Sequence, residues 1–487
     1  MKQEIFFDNN GTTPMDPDSI KVMTTHLQNA RNPSSASKNS LKYREMLKEA
    51  KSRIETHCGS TRADPYTAVF TSGASESNCF IIKSTVLAYR RIMRVKPVVI
   101  TSAIEHWSIM SCCKSIVEDD LAEVVYVMPN CEGSIPVHMV ERAIRANTNI
   151  CLISIMFGNN EIGTINNVRE IGALAHANKI PFHVDAVQGF GKYHINMHDN
   201  NIDAMSASFH KVYGPVGLGI IVIRNDLISG YRLDALISGT QQDHLRGGTE
   251  NVSAIAASMT ALDHAFTNRA SKNNHLAGLR AYLIQGLAKI YPLGSYMDHV
   301  RRNSRTSIDS FAIEFDPAGS GGEGIVGPTV DYIEPVEIII LGPTDNETAR
   351  VLPNTVLFSI VKNVSDKYGD FCNVKLRKDL DDRKVVVSIG SNCNTDSPEA
   401  SHVLRAIQAP PEIIRGVIRV SFGDQNTKSE IDQFLTLLKE CCDRQIVKPR
   451  VRISDKPPVK IPAAKSAKSA TAGSSASKQA TKKTTGK

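Results

Sequence analysis

The chain has 487 residues, of which 41% are apolar and 22% charged, a composition that supports a sizeable core and excludes a disordered, collagen-like or disulfide-stapled protein. The net charge of +7 is held unevenly: from Lys448 to Lys487, 11 Lys and Arg face the single acid Asp455, a net of +10, which leaves the rest at −3. A nucleic-acid role for the whole protein therefore loses its support.

No apolar run approaches the ~18 residues of a membrane span. The opening MKQEIFFDNN turns acidic and polar at once and carries no secretory pattern, so the cytoplasm is the expected location. The ten cysteines include no CxxC pair, which removes zinc-ribbon and thioredoxin readings. Several lie in apolar runs and are expected to be buried small hydrophobes in a reducing compartment.

From residue 16 to 258 the pattern alternates. Helices are predicted over 16–28, 40–57, 76–92, 108–119, 138–146, 167–178 and from 252 onward. Short apolar runs lie between them at 67–71, 97–102, 123–128, 149–156, 180–185, 203–208 and 217–223. Alternation of this kind predicts an α/β fold with a mostly parallel sheet covered by helices on both faces. Such a sheet collects its chemistry beyond the carboxyl ends of its strands, so polar residues just after the apolar runs are the expected functional ones.

A long helical stretch (252–290) follows. Strands are then predicted over 308–316, 334–341, 355–361, 384–389 and 416–422, with helices near 399–407 and 428–442. The expected organisation is an N-terminal segment (1–15), a large domain (16–258), a smaller α/β C-terminal domain (259–445) and a tail (446–487). The segment 317–333 is Gly-rich and reads as a loop. The tail is Lys, Ala, Ser, Thr and Pro with almost no large apolar residue, so it is expected to be disordered.

Three segments carry chemistry. In FTSGASESN (70–78) a strand ends, a Gly permits a tight turn, and a helix opens at Ser75 or Glu76. Unpaired N–H groups at a helix start suit a phosphate, although a Ser N-cap explains the same residues. In IPFHVDAVQ (180–188) Asp185 closes an apolar strand, where a buried carboxylate needs a cation or donors to offset its burial. In SASFHKVYGPVG (206–217) Lys211 follows an apolar strand. A lysine desolvated there loses its preference for the charged form and becomes able to condense with an aldehyde. A phosphate seat, an acid for a ring nitrogen and a Schiff-base lysine, in that order, are the parts pyridoxal 5′-phosphate requires.

With these motifs in hand, the sequence resembles the class V aminotransferase family of fold-type I pyridoxal-phosphate enzymes and, within it, the cysteine desulfurases. The resemblance runs from FFDNNGTTP (6–14) to IRVSFGDQNTKSEID (418–432). It includes NPSS (32–35), TSGASESN (71–78), EH (105–106), NNEIG (159–163), HVDAVQ (183–188), HKVYGP (210–215), RGGTEN (246–251) and SHVLRA (401–406).

The resemblance implies that Lys211 carries the cofactor and moves protons, and that Asp185 pairs with its pyridine nitrogen. It implies that His106 stacks on the ring and serves as a candidate base. Gln188 and Asn160 match residues near the ring oxygen or the substrate. Ala74, Ser75, Ser208 and His210 match phosphate-binding positions. Thr249 matches a threonine that reaches a neighbouring subunit's cofactor, which implies a homodimer. Arg419 matches the arginine that grips the substrate carboxylate, a role suited to a guanidinium fork.

Cys393, in SIGSNCNTDSPEASHVLRA (388–406), matches the cysteine whose thiolate takes sulfur from L-cysteine as a persulfide. The implied products are L-alanine and sulfur for an acceptor protein of unknown identity, in iron–sulfur cluster assembly or tRNA thiolation. The alternative is a selenocysteine lyase or another class V enzyme. Departures from the pattern are Ser37 where a histidine is usual, Ser75 for a threonine, and the absence of arginine in 238–244. No metal ligand set is expected. The basic tail is expected to be a solubilising or localising extension, with nucleic acid, an anionic membrane or an acidic protein as alternative partners.

Overall fold

The computed structural model describes residues 4–29, 31–296, 336–344, 349–362, 371–390 and 401–446. The predicted strand at 308–316, the Gly-rich segment 317–333, Cys393 and the basic tail lie outside the described residues.

A two-residue strand, β1 (Ile5–Phe6), opens the chain, followed by α1 (Pro17–Gln28) and α2 (Lys38–His57). Asp16 caps α1 and Ser37 caps α2, each accepting from backbone N–H groups of the first turn. The predicted alternation then appears in full. It comprises β2 (Tyr66–Thr71), α3 (Ala74–Met93), β3 (Val98–Ser102), α4 (Trp107–Glu118), β4 (Glu123–Val127) and α5 (Val137–Ala146). It continues through β5 (Ile150–Ser154), α6 (Val168–Ala177), β6 (Phe182–Asp185), β7 (Ala204–Ser208), β8 (Gly219–Arg224) and α7 (Asn225–Tyr231).

The seven strands β2 to β8 form one sheet in the order β2-β8-β7-β6-β5-β3-β4. All pairs are parallel except those that β8 makes with β7 and β2. Alternate side chains enter two cores. Ala68, Phe70, Ile100, Val184, Met205, Ile220 and Val222 pack with α2, α5 and α6, whereas Val69, Val99, Leu152, Ala204, Ile221 and Ile223 pack with α3 and α4. Burial on both faces explains why these strands read as apolar runs.

The predicted helical stretch 252–290 is two helices, α8 (Val252–Thr267) and α9 (Arg269–Ile290), broken at Asn268, whose φ of −107° and ψ of 13° leave the helical region. The break has a packing cause. Residues Ala254, Ile255, Met259 and Leu262 of α8 belong to the large sheet's core, whereas Leu276, Leu279, Leu283 and Leu287 of α9 belong to a second core.

That second core covers a four-stranded sheet of β9 (Leu293–Gly294), β10 (Val336–Leu341), β11 (Thr355–Lys362) and, beyond α10 (Asn373–Asp381), β12 (Val385–Val386), α11 (His402–Ala406) and α12 (Pro411–Gly416), β13 (Val417–Ser421), in the order β13-β11-β10-β9. The strand β12 stands apart and pairs in parallel with β1. The last described helix is α13 (Lys428–Ile446). Ile338, Ile340, Phe358, Ile418 and Val420 face α9 and α13, while Ile339, Leu341, Leu357 and Val417 face Leu404 and Ile413 of α11 and α12. Among the described residues no helix is long and apolar enough to cross a membrane.

The vicinal pairs Cys112–Cys113 and Cys441–Cys442 are buried in these cores, as are Cys58 and Cys151, and the thiols of Cys58 and Cys113 are pushed up to about 12 by burial. Cys372, by contrast, is exposed.

Candidate active site

The carboxyl ends of β3, β5, β6 and β7 point the same way, and the residues following them meet the N-terminal segment. Beyond β7 a single 3₁₀ turn (Phe209–Lys211) lifts Lys211 off the sheet. Its Nζ donates to the carbonyls of Asn10 and Gly11, both at 2.5 Å. Burial lowers the Lys211 pKa to about 8; the cations of Arg419 and Lys192 act in the same direction, against Asp8 and Asp185. An amine so placed is a far better nucleophile near neutral pH than a surface lysine.

Asp185 ends β6 and is 4% exposed. Its two oxygens are met separately: Asn78 Nδ2 donates to Oδ2 at 2.8 Å, and the Val187 N–H donates to Oδ1 at 3.0 Å. The carboxylate thus also caps the turn that follows it. One turn on, Gln188 Nε2 reaches the Asn10 carbonyl at 3.3 Å, while its buried Oε1 has no partner.

The helix predicted to open at Ser75 or Glu76 begins at Ala74. Its N-cap is Gly73, which offers no side chain, so the expected Ser cap is absent. The start of α3 is crowded from the sheet side: a Cβ on Gly219 would lie 2.4 Å from the Gly73 carbonyl carbon. Gly219 pairs with Thr71 on one side and Ser208 on the other, which brings buried Ser208 into the row of residues beneath that helix start. Ser75 itself is exposed. Glu76, in the first turn, is committed to Arg246 Nε (3.0 Å) and to the Ser72 N–H (2.7 Å). Burial raises its pKa, but those partners outweigh burial and hold the carboxyl below its ordinary range.

His106 caps α4 through its Nδ1, which accepts from the Ser108 N–H at 3.2 Å and contacts the Ser108 hydroxyl at 2.9 Å. The same hydroxyl accepts from Asn78 at 3.0 Å, so His106 and Asp185 share a hydrogen-bonded chain. The protein around its ring lowers the His106 pKa; Asp185 opposes this and Lys211 reinforces it. His210 contacts Thr12 Oγ1 at 3.1 Å, and burial brings its pKa down to about 4, so the ring is neutral at pH 7.

Arg419 lies on β13, 4% exposed, and joins the second sheet to the first. Its Nη2 donates to Asp8 Oδ1 at 2.5 Å and its Nη1 to the Asn160 carbonyl at 3.0 Å; its Nε is buried without a partner. Asn160 also receives Asn10 Nδ2 on that carbonyl at 3.0 Å. Thr249 lies elsewhere. It is exposed and borders a surface cavity of about 360 Å³ with Arg31, Tyr43 and Glu250, and it meets none of the residues above.

Cys393 lies outside the described residues, but both flanks of its segment come to this region. Ser388 and Arg419 exchange backbone hydrogen bonds of 3.1 and 2.7 Å. On the other flank Ser401 Oγ donates to Glu161 Oε2 at 2.6 Å, and a Cβ on Gly390 would lie 3.3 Å from that same oxygen.

Residues 5–316 match the family model "Aminotransferase class-V". The chain is 31% identical over 440 residues to "Cysteine desulfurase IscS" of Clostridium botulinum, an alignment covering 90% of this chain and 94% of that protein. The chain belongs to the class-V aminotransferase family.

Among solved structures, a "NifS-like protein" is 26% identical with a TM-score of 0.71, covering 91% of this chain and all of that one. "SspA in complex with cysteine" is 27% identical with a TM-score of 0.61, covering 87% of this chain and all of that one.

Class-V aminotransferases are pyridoxal-phosphate enzymes, and the donor set here fits that group. A lysine with a lowered pKa faces a buried, doubly hydrogen-bonded acid. A helix start without a side-chain cap stands beside them, and two buried polar atoms, Gln188 Oε1 and Arg419 Nε, await partners.

Several residues of this class-V site were not singled out from sequence. Asn10 is its hub: beyond the contacts above, its Nδ2 reaches Thr355 Oγ1 at 2.8 Å and its Oδ1 accepts from Asn354 at 2.9 Å. The signal was present in the DNNGTTP motif, where Asp8 also lies. Asn78 was findable as a polar residue on the buried face of α3. Glu105 is fully buried and accepts from the Ser102 hydroxyl (2.5 Å) and the Met156 N–H (3.0 Å); burial raises its pKa to about 8. No local pattern marks Lys192, which acts on Lys211 as a nearby cation.

Proposed function

We propose that this chain is a cysteine desulfurase that converts L-cysteine to L-alanine and leaves the sulfur as a persulfide on Cys393. The observation that carries the reading is that Lys211, seated on the Asn10 and Gly11 carbonyls, lies within electrostatic reach of both Asp185 and Arg419, since each of the three answers a different demand of an amino-acid substrate.

The bound cofactor supplies an electron sink for the substrate carbons and the aldehyde with which Lys211 condenses. Asp185, steadied by Asn78 and the Val187 N–H, holds a proton on the ring nitrogen. Arg419 takes the substrate carboxylate with its guanidinium fork, for which Asp8 is the resident partner in the free protein. Lys211, with its lowered pKa, accepts and returns protons near neutral pH. Ala74, Ser75, Ser208 and His210 would hold the phosphate, for which the start of α3 offers N–H groups.

In the sulfur-transfer step the Cys393 thiolate attacks the substrate sulfur and forms an S–S bond. The substrate C–S bond breaks, its electron pair stays on the substrate carbon, and the thiol proton ends there as part of the alanine methyl group. The persulfide passes to an acceptor protein. Thr249, exposed and remote from Lys211, suits a role toward the site of a second copy in a homodimer.

The test is release of sulfide and alanine from L-cysteine with a reductant present, for wild type, Lys211→Ala and Cys393→Ala, with visible absorbance recorded. The expected result is a coloured wild type yielding equal amounts of both products, a Lys211→Ala protein without the wild-type absorbance, and a coloured Cys393→Ala protein without sulfide release. Sulfide release that survives Cys393→Ala, or a wild type that stays colourless with added pyridoxal 5′-phosphate, overturns the proposal.

A further inference from the structure

A small cavity of about 30 Å³ is bounded by Lys211, Lys192, Tyr213, Lys272, Arg269 and Asp424. Three amines therefore face one space from different stretches of chain, and that of Lys272 is paired with Asp424. Lys211 holds the carbonyls of Asn10 and Gly11. Lys192, in the loop after Gln188, donates to the Gln188 carbonyl at 3.3 Å. Gln188 in turn donates to the Asn10 carbonyl that Lys211 uses, so Lys192, Gln188, Asn10 and Lys211 form one connected run.

The acid nearest Lys192 is already engaged. Asp424 binds Lys272 Nζ at 2.6 Å, and its N–H donates to the Tyr213 hydroxyl at 2.7 Å. Among the described residues Lys192 forms no ion pair. Arg269 adds a further cation to the cavity wall, and Tyr213 is held protonated by burial. On the side of Lys211, Arg419 is matched by Asp8, while Asp185 and His106 face the amine from β6 and α4. Lys192 is thus a cation near Lys211 that has no ion pair among the described residues; burial brings its own pKa down to about 8, and Asp424 opposes this.

Resting on the reading of Lys211 as the cofactor lysine, we infer that Lys192 is a positioning residue: its unpaired ammonium in the shared cavity keeps the Lys211 nitrogen poised to give up its proton near neutral pH. The lowered pKa of Lys211, to which Lys192 contributes after burial and Arg419, agrees with this geometry. Removing the Lys192 charge therefore raises the Lys211 pKa on this reading.

The test has two readouts on the full-length chain, wild type beside Lys192→Met, Lys192→Gln and Lys192→Arg, each checked for a cooperative thermal melt. The first is the pH midpoint of the visible absorbance change of protein loaded with pyridoxal 5′-phosphate. The second needs no cofactor: competitive acetylation across pH, with the Lys211 peptide quantified by mass spectrometry. The inference requires both midpoints to rise by about one pH unit in the Met and Gln variants and to stay at the wild-type value in Lys192→Arg. Unmoved midpoints in folded Met and Gln variants overturn it, as does an equal shift in all three variants, which marks Lys192 as packing alone. If one neutral variant fails to fold, the other decides. A chain that stays colourless while the acetylation midpoint shifts would sink the proposed function and leave the coupling of the two lysines standing.

Discussion

Asn78 donates to Asp185 from the second turn of α3, the helix whose start has no side-chain cap and is proposed as the phosphate seat. On that proposal one rigid element sets both the anion seat and the acid, and the distance between them is fixed by helix geometry instead of loop conformation. Asn78 is then expected to matter for cofactor retention.

Replacing Asn78 with Ala leaves Asp185 with one donor of its two, and a buried carboxylate that loses a donor is destabilised by about 1–3 kcal/mol. We expect pyridoxal 5′-phosphate to bind at least about 10-fold more weakly, with the fold intact. Equilibrium titration of the protein's absorbance with added cofactor measures this, and unchanged affinity would remove Asn78 from the site.

Arg419→Lys keeps the charge and loses the fork. A lysine cannot hold a carboxylate bidentately, and it gives up either Asp8 or the Asn160 carbonyl. The expected outcome is a rise in KM for L-cysteine and a fall of about 10–100-fold in kcat/KM, with absorbance of the resting protein unchanged. Steady-state alanine production checks it.

Ser401 holds buried Glu161 and also caps α11 through the N–H groups of Val403 and Leu404. Ser401→Ala removes both interactions at once, and Glu161, already with one orphan oxygen, loses its hydroxyl donor. A loss of about 1–3 kcal/mol in urea denaturation is expected, with Ser401→Thr close to wild type.

His183 is fully buried between the hydroxyls of Ser154 (2.8 Å) and Ser206 (2.9 Å), and burial lowers its pKa to about 3. The unfolded chain, with an ordinary histidine near 6.5, binds a proton that the folded chain refuses. Stability contributed by this difference is therefore present above the unfolded pKa and lost as pH falls from about 6.5 toward about 3, at about 1.4 kcal/mol per pH unit. In His183→Gln the decline of urea midpoint between pH 6.5 and 5 should be shallower than in wild type. Parallel declines would show that another group governs the acid limb.

Much of this molecule is legible in the amino-acid order because the large sheet is buried on both faces. Runs such as IIVI in β8 have no other place to go, and the polar residues that follow β6 and β7 stand where the strand ends require. Asp185 and Lys211 were found that way. Asn10 and Lys192 were not, because their importance comes from partners hundreds of residues distant or from a cavity that exists only after folding. The helices α10 and α12 escaped for a local reason. The first buries only Leu376 and Leu380, and the second is six residues long and opens on a proline pair, so neither shows a sustained apolar period. The break at Asn268 is invisible for the opposite reason: helical residues on both sides continue the pattern, and only the change of core reveals it.

The pairing of Asp8 with Arg419, and the edge-on contact of Phe7 with Phe422, have a consequence during protein synthesis. The segment that leaves the ribosome early completes its contacts with residues made 411 positions later. At about 5–20 residues per second, the wait is roughly 20 to 80 s. Throughout that interval the seven-stranded sheet and its lysine can assemble, but the segment whose carbonyls receive Lys211 lacks the full set of contacts that Asn10 and Asp8 make with Asn354, Thr355, Ser421 and Arg419. Cofactor capture is thereby tied to chain completion, so a nascent or C-terminally truncated copy should compete poorly for free pyridoxal phosphate.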